Sequence, residues 1–78
     1  MPNVLEGKPL TALVWEEQGQ FVSLCPELDV ASAGDTREEA RAMLKEAVEI
    51  LLETADEAEI RKRFRGGMTV TTFEVDVA

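Results

Sequence analysis

The stretch "GDTREEA", residues 34–40, divides the chain into an extended first half and a helical second half. Thr36 stands three residues before Glu39, which is the spacing of a capping box. In that motif the threonine hydroxyl accepts from the Glu39 amide, and the Glu39 carboxylate accepts from the Thr36 amide. Gly34 permits the close turn before the motif. The negative charges of acidic side chains in the first turn interact favourably with the positive end of the helix dipole. The stretch therefore predicts the start of a helix.

Upstream of this stretch, two runs rich in branched and aromatic residues predict a β-hairpin. They are residues 10–15 (LTALVW) and 20–24 (QFVSL), and the polar connection EEQG between them contains a glycine that tolerates positive φ. Pro26 removes a backbone donor and fixes φ, which predicts a turn over residues 26–29. A third, short strand is predicted over residues 30–33.

Downstream of the stretch, apolar residues at helical spacing predict one amphipathic helix that covers one face of the sheet. The predicted inner side of this helix consists of Ala40, Met43, Leu44, Ala47, Val48, Leu51 and Ala55. A second capping arrangement, Thr54-Ala55-Asp56-Glu57, predicts a short helix over residues 55–65, which Gly66 and Gly67 end. Residues 68–77 largely alternate between apolar and polar, which predicts a C-terminal strand.

The predicted fold is a single α+β domain over residues 1–78, with the order β-β-β-α-(α)-β and a mainly antiparallel sheet. Residues 1–8 are expected to be flexible. Because a folded chain of 78 residues buries only roughly 60% of its unfolded surface, a monomer would be marginally stable. We therefore expect a homodimer or a higher homo-oligomer, in which the C-terminal strand pairs across a two-fold axis.

Composition limits the classes of partner. Sixteen acidic and eight basic side chains, with no histidine, give a net charge of -8, which repels nucleic acid phosphates and favours a cationic partner. The single cysteine cannot form an intramolecular disulfide, and the N-terminus lacks the pattern of an export signal, so a cytoplasmic protein is expected. No apolar run approaches the roughly 20 residues that span a bilayer, and no membrane association is expected.

Few residues are suited to catalysis, because the chain has neither histidine nor tyrosine. Neither enzymatic activity nor a cofactor is expected. Cys25 is interpreted as a buried residue at a strand end, with a nucleophile as the weaker alternative. The carboxylates near the predicted turns are interpreted as solvated surface, with an oxygen-liganded metal site as the weaker alternative. They are Glu16, Glu27, Asp29 and Asp35.

Two further features have a structural and a functional interpretation. The run RKRFR, residues 61–65, holds half of the basic side chains; it either complements the negative end of a helix dipole or contacts phosphate. The phosphate contacts would be Arg61, Lys62, Arg63 and Arg65. Trp15, the single tryptophan, is interpreted as a core residue, or as an interface anchor if its strand lies at an exposed edge.

The segment SLCPELDVASAGDTREEARAMLKEAVEILLE, residues 23–53, resembles the HicB antitoxin family. The resemblance lies in a proline-acid-leucine turn followed by a Gly-Asp-Thr helix start and an alanine-rich helix, and it covers roughly residues 10–55. The matching positions are Pro26, Glu27, Leu28, Gly34, Asp35, Thr36, Glu39 and Ala40. Ala33 stands where the family often has glutamine, and the turn at Asp29 lacks the Pro-Gly of many members.

This resemblance implies a partial ribonuclease H-like fold that binds and silences a small basic ribonuclease of the HicA type by occlusion, without catalysis of its own. The acidic partner-facing positions would include Glu16, Glu17, Glu27 and Asp29, with Trp15 beside them. Many family members carry an additional DNA-binding segment that this sequence lacks, so DNA binding is not expected. Two alternatives stay open: a metal-dependent nuclease that uses acidic residues, and an RNA-binding or small-ligand-binding module centred on residues 61–65.

Overall fold

The computed structural model of the chain describes Leu5 and residues 7–78. Three strands, β1 (Leu13–Glu17), β2 (Gln20–Cys25) and β3 (Val30–Gly34), form an antiparallel sheet in the order β1-β2-β3. Two helices follow, α1 (Arg37–Thr54) and α2 (Glu57–Arg63). The predicted α+β architecture with a three-stranded antiparallel sheet is confirmed.

Both connections in the sheet use residues in the left-handed region. Gln18 and Gly19 link β1 to β2, and both have positive φ, as a type I′ hairpin turn requires. The turn between β2 and β3 contains Leu28, whose amide donates to the Cys25 carbonyl oxygen at 3.3 Å, and Asp29, whose φ is 56°. Leu28 is fully buried, so this turn also places a core residue beneath the helices.

The start of α1 follows the predicted pattern in part. The Glu39 amide donates to Thr36 Oγ1 at 3.0 Å, which confirms the cap, but the reciprocal bond from the Thr36 amide is absent among these described residues. Gly34 has ordinary φ, and its role is spatial: a Cβ there would lie 2.6 Å from the Ala40 backbone nitrogen. The glycine is therefore required because β3 and the first turn of α1 approach closely.

The core lies between the sheet and the helices. Its buried members are Leu5, Cys25, Leu28, Leu44, Val48 and Ile60. Helix α1 packs mainly on β3 and β2 and contacts β1 least. Ser23, buried on β2, donates its hydroxyl to the Ala40 carbonyl oxygen at 2.8 Å and so links the sheet to α1.

Three predictions about the elements differ from the structure or fall outside it. Residues 68–77 form no strand, because none of the strands in the described part of the chain lies beside them to complete a hydrogen-bonded ladder. Met43 is exposed, because the buried stripe of α1 follows the i, i+4 positions Ala40, Leu44 and Val48. Residues 1–8 are predicted to be flexible. Of these, residues 1–4 and 6 lie outside the described residues, and Leu5 packs in the core.

Candidate functional site: the open face of the sheet

One face of the sheet is apolar and not covered by a helix. Phe21, Ser23 and Cys25 face α1: the Arg37 guanidinium lies over the Phe21 ring, Ser23 bonds to α1, and Cys25 is in the core. Because side chains alternate along a strand, Val22 and Leu24 point to the opposite face. The strand register places four more apolar residues beside them. This set, called the open face below, is Leu13, Trp15, Val22, Leu24, Ala31 and Ala33.

The open face is partly exposed throughout. Trp15, at 39% exposure, and both alanines are exposed, and the other three side chains are half-buried by one another. An apolar surface of this kind, surrounded by polar residues, is typical of a binding site for a protein. Trp15 lies on the edge strand β1, which corresponds to the second of the two interpretations predicted for it.

Acidic side chains border the open face at the hairpin. Glu16 and Glu17 are exposed at the end of β1, directly after Trp15, and Glu17 shares the face of Trp15. Asp29 is exposed in the turn between β2 and β3, at the opposite end of β2. The structure thus places Glu17 beside Trp15 on the open face, whereas Glu16, in register with Phe21, lies on the α1 side of β1 and Asp29 lies at the far end of β2.

Glu27 occupies a different environment from the other acidic residues. Only 7% of it is exposed, and its carboxylate accepts from the Thr11 hydroxyl at 2.6 Å and from the Thr11 amide at 3.0 Å. Its backbone oxygen accepts from the Arg65 amide at 2.8 Å. Glu27 therefore joins the start of the hairpin to the end of α2, and it has no exposed carboxylate to offer a partner.

Hydrogen bonds favour the ionised form of the Glu27 carboxyl group. Burial disfavours the charged carboxylate, but the Thr11 hydroxyl, the backbone amides of Glu27 and Thr11, and the Cys25 thiol together outweigh it and lower the pKa of Glu27. The carboxylate is consequently ionised at neutral pH and serves to hold two segments of the fold together.

Cys25 is buried, as the sequence predicts. Burial raises the pKa of the Cys25 thiol, and the neighbouring Glu27 charge raises it further, while hydrogen bonds from backbone groups of Leu28 and Glu27 oppose the change. The sulfur lies 3.6 Å from Glu27 Oε1. A protonated, enclosed thiol is a poor nucleophile, so its environment favours a structural role.

Some residues of the basic run 61–65 make contacts that stabilise the fold, and others are exposed to solvent. Arg61 pairs with Glu57 at 2.7 Å on an exposed side of α2, and the cations of the last turn face the negative end of that helix. Phe64 packs against the core, and the Arg65 amide bonds to Glu27. The side chains of Lys62 and Arg63 are exposed.

The acidic residues proposed as alternative metal ligands are dispersed. Glu27 points toward Thr11, Asp29 lies in a turn, Asp35 precedes α1 and Glu16 lies at the hairpin. Within Leu5 and residues 7–78, no group of three or more histidine, cysteine or acidic side chains has the geometry to hold a metal ion. In the same residues, neither helix has the length and apolar character needed to cross a bilayer.

A cleft of about 200 Å³ opens between the start of the hairpin and α1. Its walls combine aliphatic residues, including Leu10, Leu44 and Val48, with Arg41 and Lys45 on the exposed flank of α1. The cleft exists because α1 lies over β2 and β3 and leaves the helix side of β1 largely free. Its volume is below the roughly 300–1,000 Å³ that encloses drug-sized ligands.

Of the six residues that form the open face, only Trp15 is predicted from the sequence as a possible interface residue. A signal was present in β2, where Phe21, Val22 and Leu24 make both faces apolar, which is typical of a strand that is covered on both sides. Only one long helix is available in the sequence, so one apolar face was left without a cover.

No family model, curated protein or solved structure matches this chain.

Proposed function

We propose that the chain is a non-catalytic protein-binding module that acts like a HicB antitoxin and occludes a small basic ribonuclease of the HicA type. The open face is the observation that carries this proposal. It offers an apolar centre with one aromatic residue and a border of acidic side chains, the composition expected of a binding surface for a cationic protein. The net charge of -8 favours rapid, salt-sensitive association with such a partner.

The environments of the potentially reactive groups agree with a binding role. The Cys25 thiol is enclosed with a raised pKa, and the Glu27 carboxylate is occupied by Thr11. Both groups stabilise the connection between the hairpin, the β2–β3 turn and α2. We also propose a partial ribonuclease H-like arrangement, in which a further strand follows the helices in the order β-β-β-α-β.

Within the proposed surface, we assign Trp15 as the anchor and Glu17 as the charged border on the same face, with Glu16 as an exposed charge at the same hairpin end on the α1 side. Asp29 contributes more weakly because it lies away from Trp15, and Glu27 is left out because its carboxylate is buried. Truncation of a central aromatic anchor commonly costs about 2 kcal/mol or more in binding, whereas border charges mainly affect the association rate.

The test uses the full chain and the protein product of the neighbouring reading frame, if that product is small and basic. Binding is measured by calorimetric titration, and inhibition is measured with an RNA cleavage assay of that product. We expect stoichiometric inhibition, a loss of affinity in Trp15→Ala, and slower association in the double variant Glu16→Lys, Glu17→Lys.

The matched control is the double variant Glu46→Lys, Glu53→Lys, which makes the same charge change on exposed positions of α1. It is expected to retain most of the affinity of the native chain. Equal losses in both double variants would contradict the assigned surface. RNA cleavage by the chain alone with magnesium or manganese would contradict the non-catalytic role and favour the nuclease alternative.

A further inference from the structure

The C-terminal segment, residues 68–77, is extended and carries exposed apolar side chains. Val70, Phe73, Val75 and Val77 are 61–89% exposed, and no residue from 65 to 78 is buried. Among the described residues, the hydrogen bond that this segment makes is local, from the Thr71 hydroxyl to the Thr72 carbonyl oxygen at 3.4 Å. The backbone donors and acceptors of a potential strand are therefore free for another strand.

The sheet has a free edge at β1. Among Leu5 and residues 7–78, the sheet order places β1 beside β2 only, so the other side of β1 has no strand neighbour within this part of the chain. The cleft beside Leu10 and Leu44 opens on the same side of the molecule, next to the chain leading into β1. An added strand at this edge would find both hydrogen-bonding groups and an apolar wall.

The single chain exposes more surface area than a compact protein of the same mass. A compact protein of 8.6 kDa is expected to expose about 4,700 Å², whereas this chain exposes 6155 Å². The radius of gyration is 14.6 Å, compared with about 11.5 Å for a compact chain of this length. The excess of about 1,500 Å² exceeds the roughly 800 Å² that each partner buries in a standard stable interface.

The segment leaves the body of the chain near the residues that lead into β1. The Arg65 amide is bonded to Glu27, and Gly66, Gly67 and Met68 line a shallow pocket with Pro9, Leu10 and Thr11. The segment thus leaves the body beside the start of β1 and continues outward, along a molecule whose longest dimension is 53 Å. A second copy supplies the same free edge and the same unpaired segment.

We propose that residues 68–77 form a fourth strand that pairs with the free edge of β1 in a second copy of this chain, with reciprocal exchange in a two-fold dimer. Phe73, Val75 and Val77 share one face of this strand and turn toward the α1 side, where Phe73 enters the cleft. Thr72, Glu74 and Asp76 occupy the opposite face. One exchange provides a strand partner for both the unpaired segment and the β1 edge in each copy.

Light scattering on the full chain tests the stoichiometry. We expect twice the chain mass of 8.6 kDa at micromolar concentration. The variant Phe73→Ser, Val75→Ser is expected to raise the dimer dissociation constant on the order of 100-fold or more, since it removes apolar burial at two symmetric sites. The matched control Thr72→Ser, Glu74→Ser alters the opposite face and is expected to remain dimeric. Circular dichroism establishes that each variant keeps the helical content of the native chain.

Mixed-label NMR tests the position of the exchanged strand. A spin label attached at Ala78→Cys in unlabelled chain is mixed with native ¹⁵N-labelled chain, and we expect selective broadening of amides in β1 rather than β3. A label at Glu53→Cys serves as the control. A monomer in which the C-terminal segment is protected from hydrogen exchange, a dimer insensitive to the Phe73 variant, or broadening confined to β3 would overturn the proposal.

Discussion

The two faces of the sheet are both apolar, yet only one contributes to the core. On the α1 side, Cys25 is buried with Leu44 and Val48 of α1 and Leu28 of the following turn. On the open face, Trp15 is exposed and Leu24 is only half-buried. A face that stabilises the monomer and a face that is available for binding thus lie on opposite sides of the same three strands.

The largest expected difference between the two faces is in stability. Leu44→Ala, on the covered side, removes a side chain that is 3% exposed and is expected to lower the free energy of unfolding by about 2–5 kcal/mol. Leu24→Ala, on the open face, leaves a smaller cavity because solvent and neighbours can fill it. Urea unfolding of both variants measures the difference, and equal losses would mean that the open face is covered in solution.

The second largest effect on the free energy of unfolding is expected at the junction between β3 and α1. Gly34→Ala places a methyl group against backbone atoms of Glu39 and Ala40 at 2.6–2.9 Å, and the backbone cannot yield as a flexible side chain can. We expect a loss of about 1–3 kcal/mol in unfolding free energy. Gly19→Ala is an informative comparison, because its Cβ has open space and its cost would come from positive φ alone. A neutral Gly34→Ala would contradict the close approach.

Glu27 stabilises the covered side in a pH-dependent way. Its pKa in the folded chain lies below the ordinary value of 4.5, so its contribution is fully present above that pH and is lost as the pH falls through the folded-state pKa. Glu27→Gln is expected to cost about 1–3 kcal/mol at neutral pH. The difference from the native chain should shrink in acid, and Glu16→Gln, at an exposed site, should be nearly neutral. A Glu27→Gln effect independent of pH would refute this account.

The cap of α1 is expected to give the smallest change. Thr36→Ala removes the acceptor for the Glu39 amide and should lower the unfolding free energy by about 1 kcal/mol. Thr36→Ser retains an acceptor hydroxyl and serves as the control. Thermal unfolding followed by circular dichroism separates the two variants, and identical midpoints would show that the hydroxyl contributes little.

Local patterns in the sequence were sufficient to predict most of the elements. The hairpin followed from two β-rich runs with a glycine between them, and the start of α1 followed from Thr36 and Glu39. These signals work because turn chemistry and capping depend on neighbours in the chain. The alternation in residues 68–77 was equally clear, but a strand also needs a partner, and sequence alone does not specify which chain supplies it.

The candidate site was less accessible to sequence reasoning. Trp15, Glu16 and Glu17 were identified, but Ala31 and Ala33 join the open face only through their register with β2. Glu27 was assigned to the surface because acidic residues are usually exposed, whereas a contact with Thr11, sixteen residues earlier, holds it inside. Long-range pairing of this kind leaves no trace in local composition.

Fluorescence of Trp15 offers the most direct test of the open face as a recognition surface. Trp15 is the single tryptophan in the chain and is 39% exposed, so its fluorescence emission reports on that face. Any tryptophan emission of the added protein is measured separately and subtracted. Titration with the small basic product of the neighbouring frame should shift the emission to shorter wavelength and saturate at a defined stoichiometry. Tight binding that leaves the emission unchanged would contradict the account.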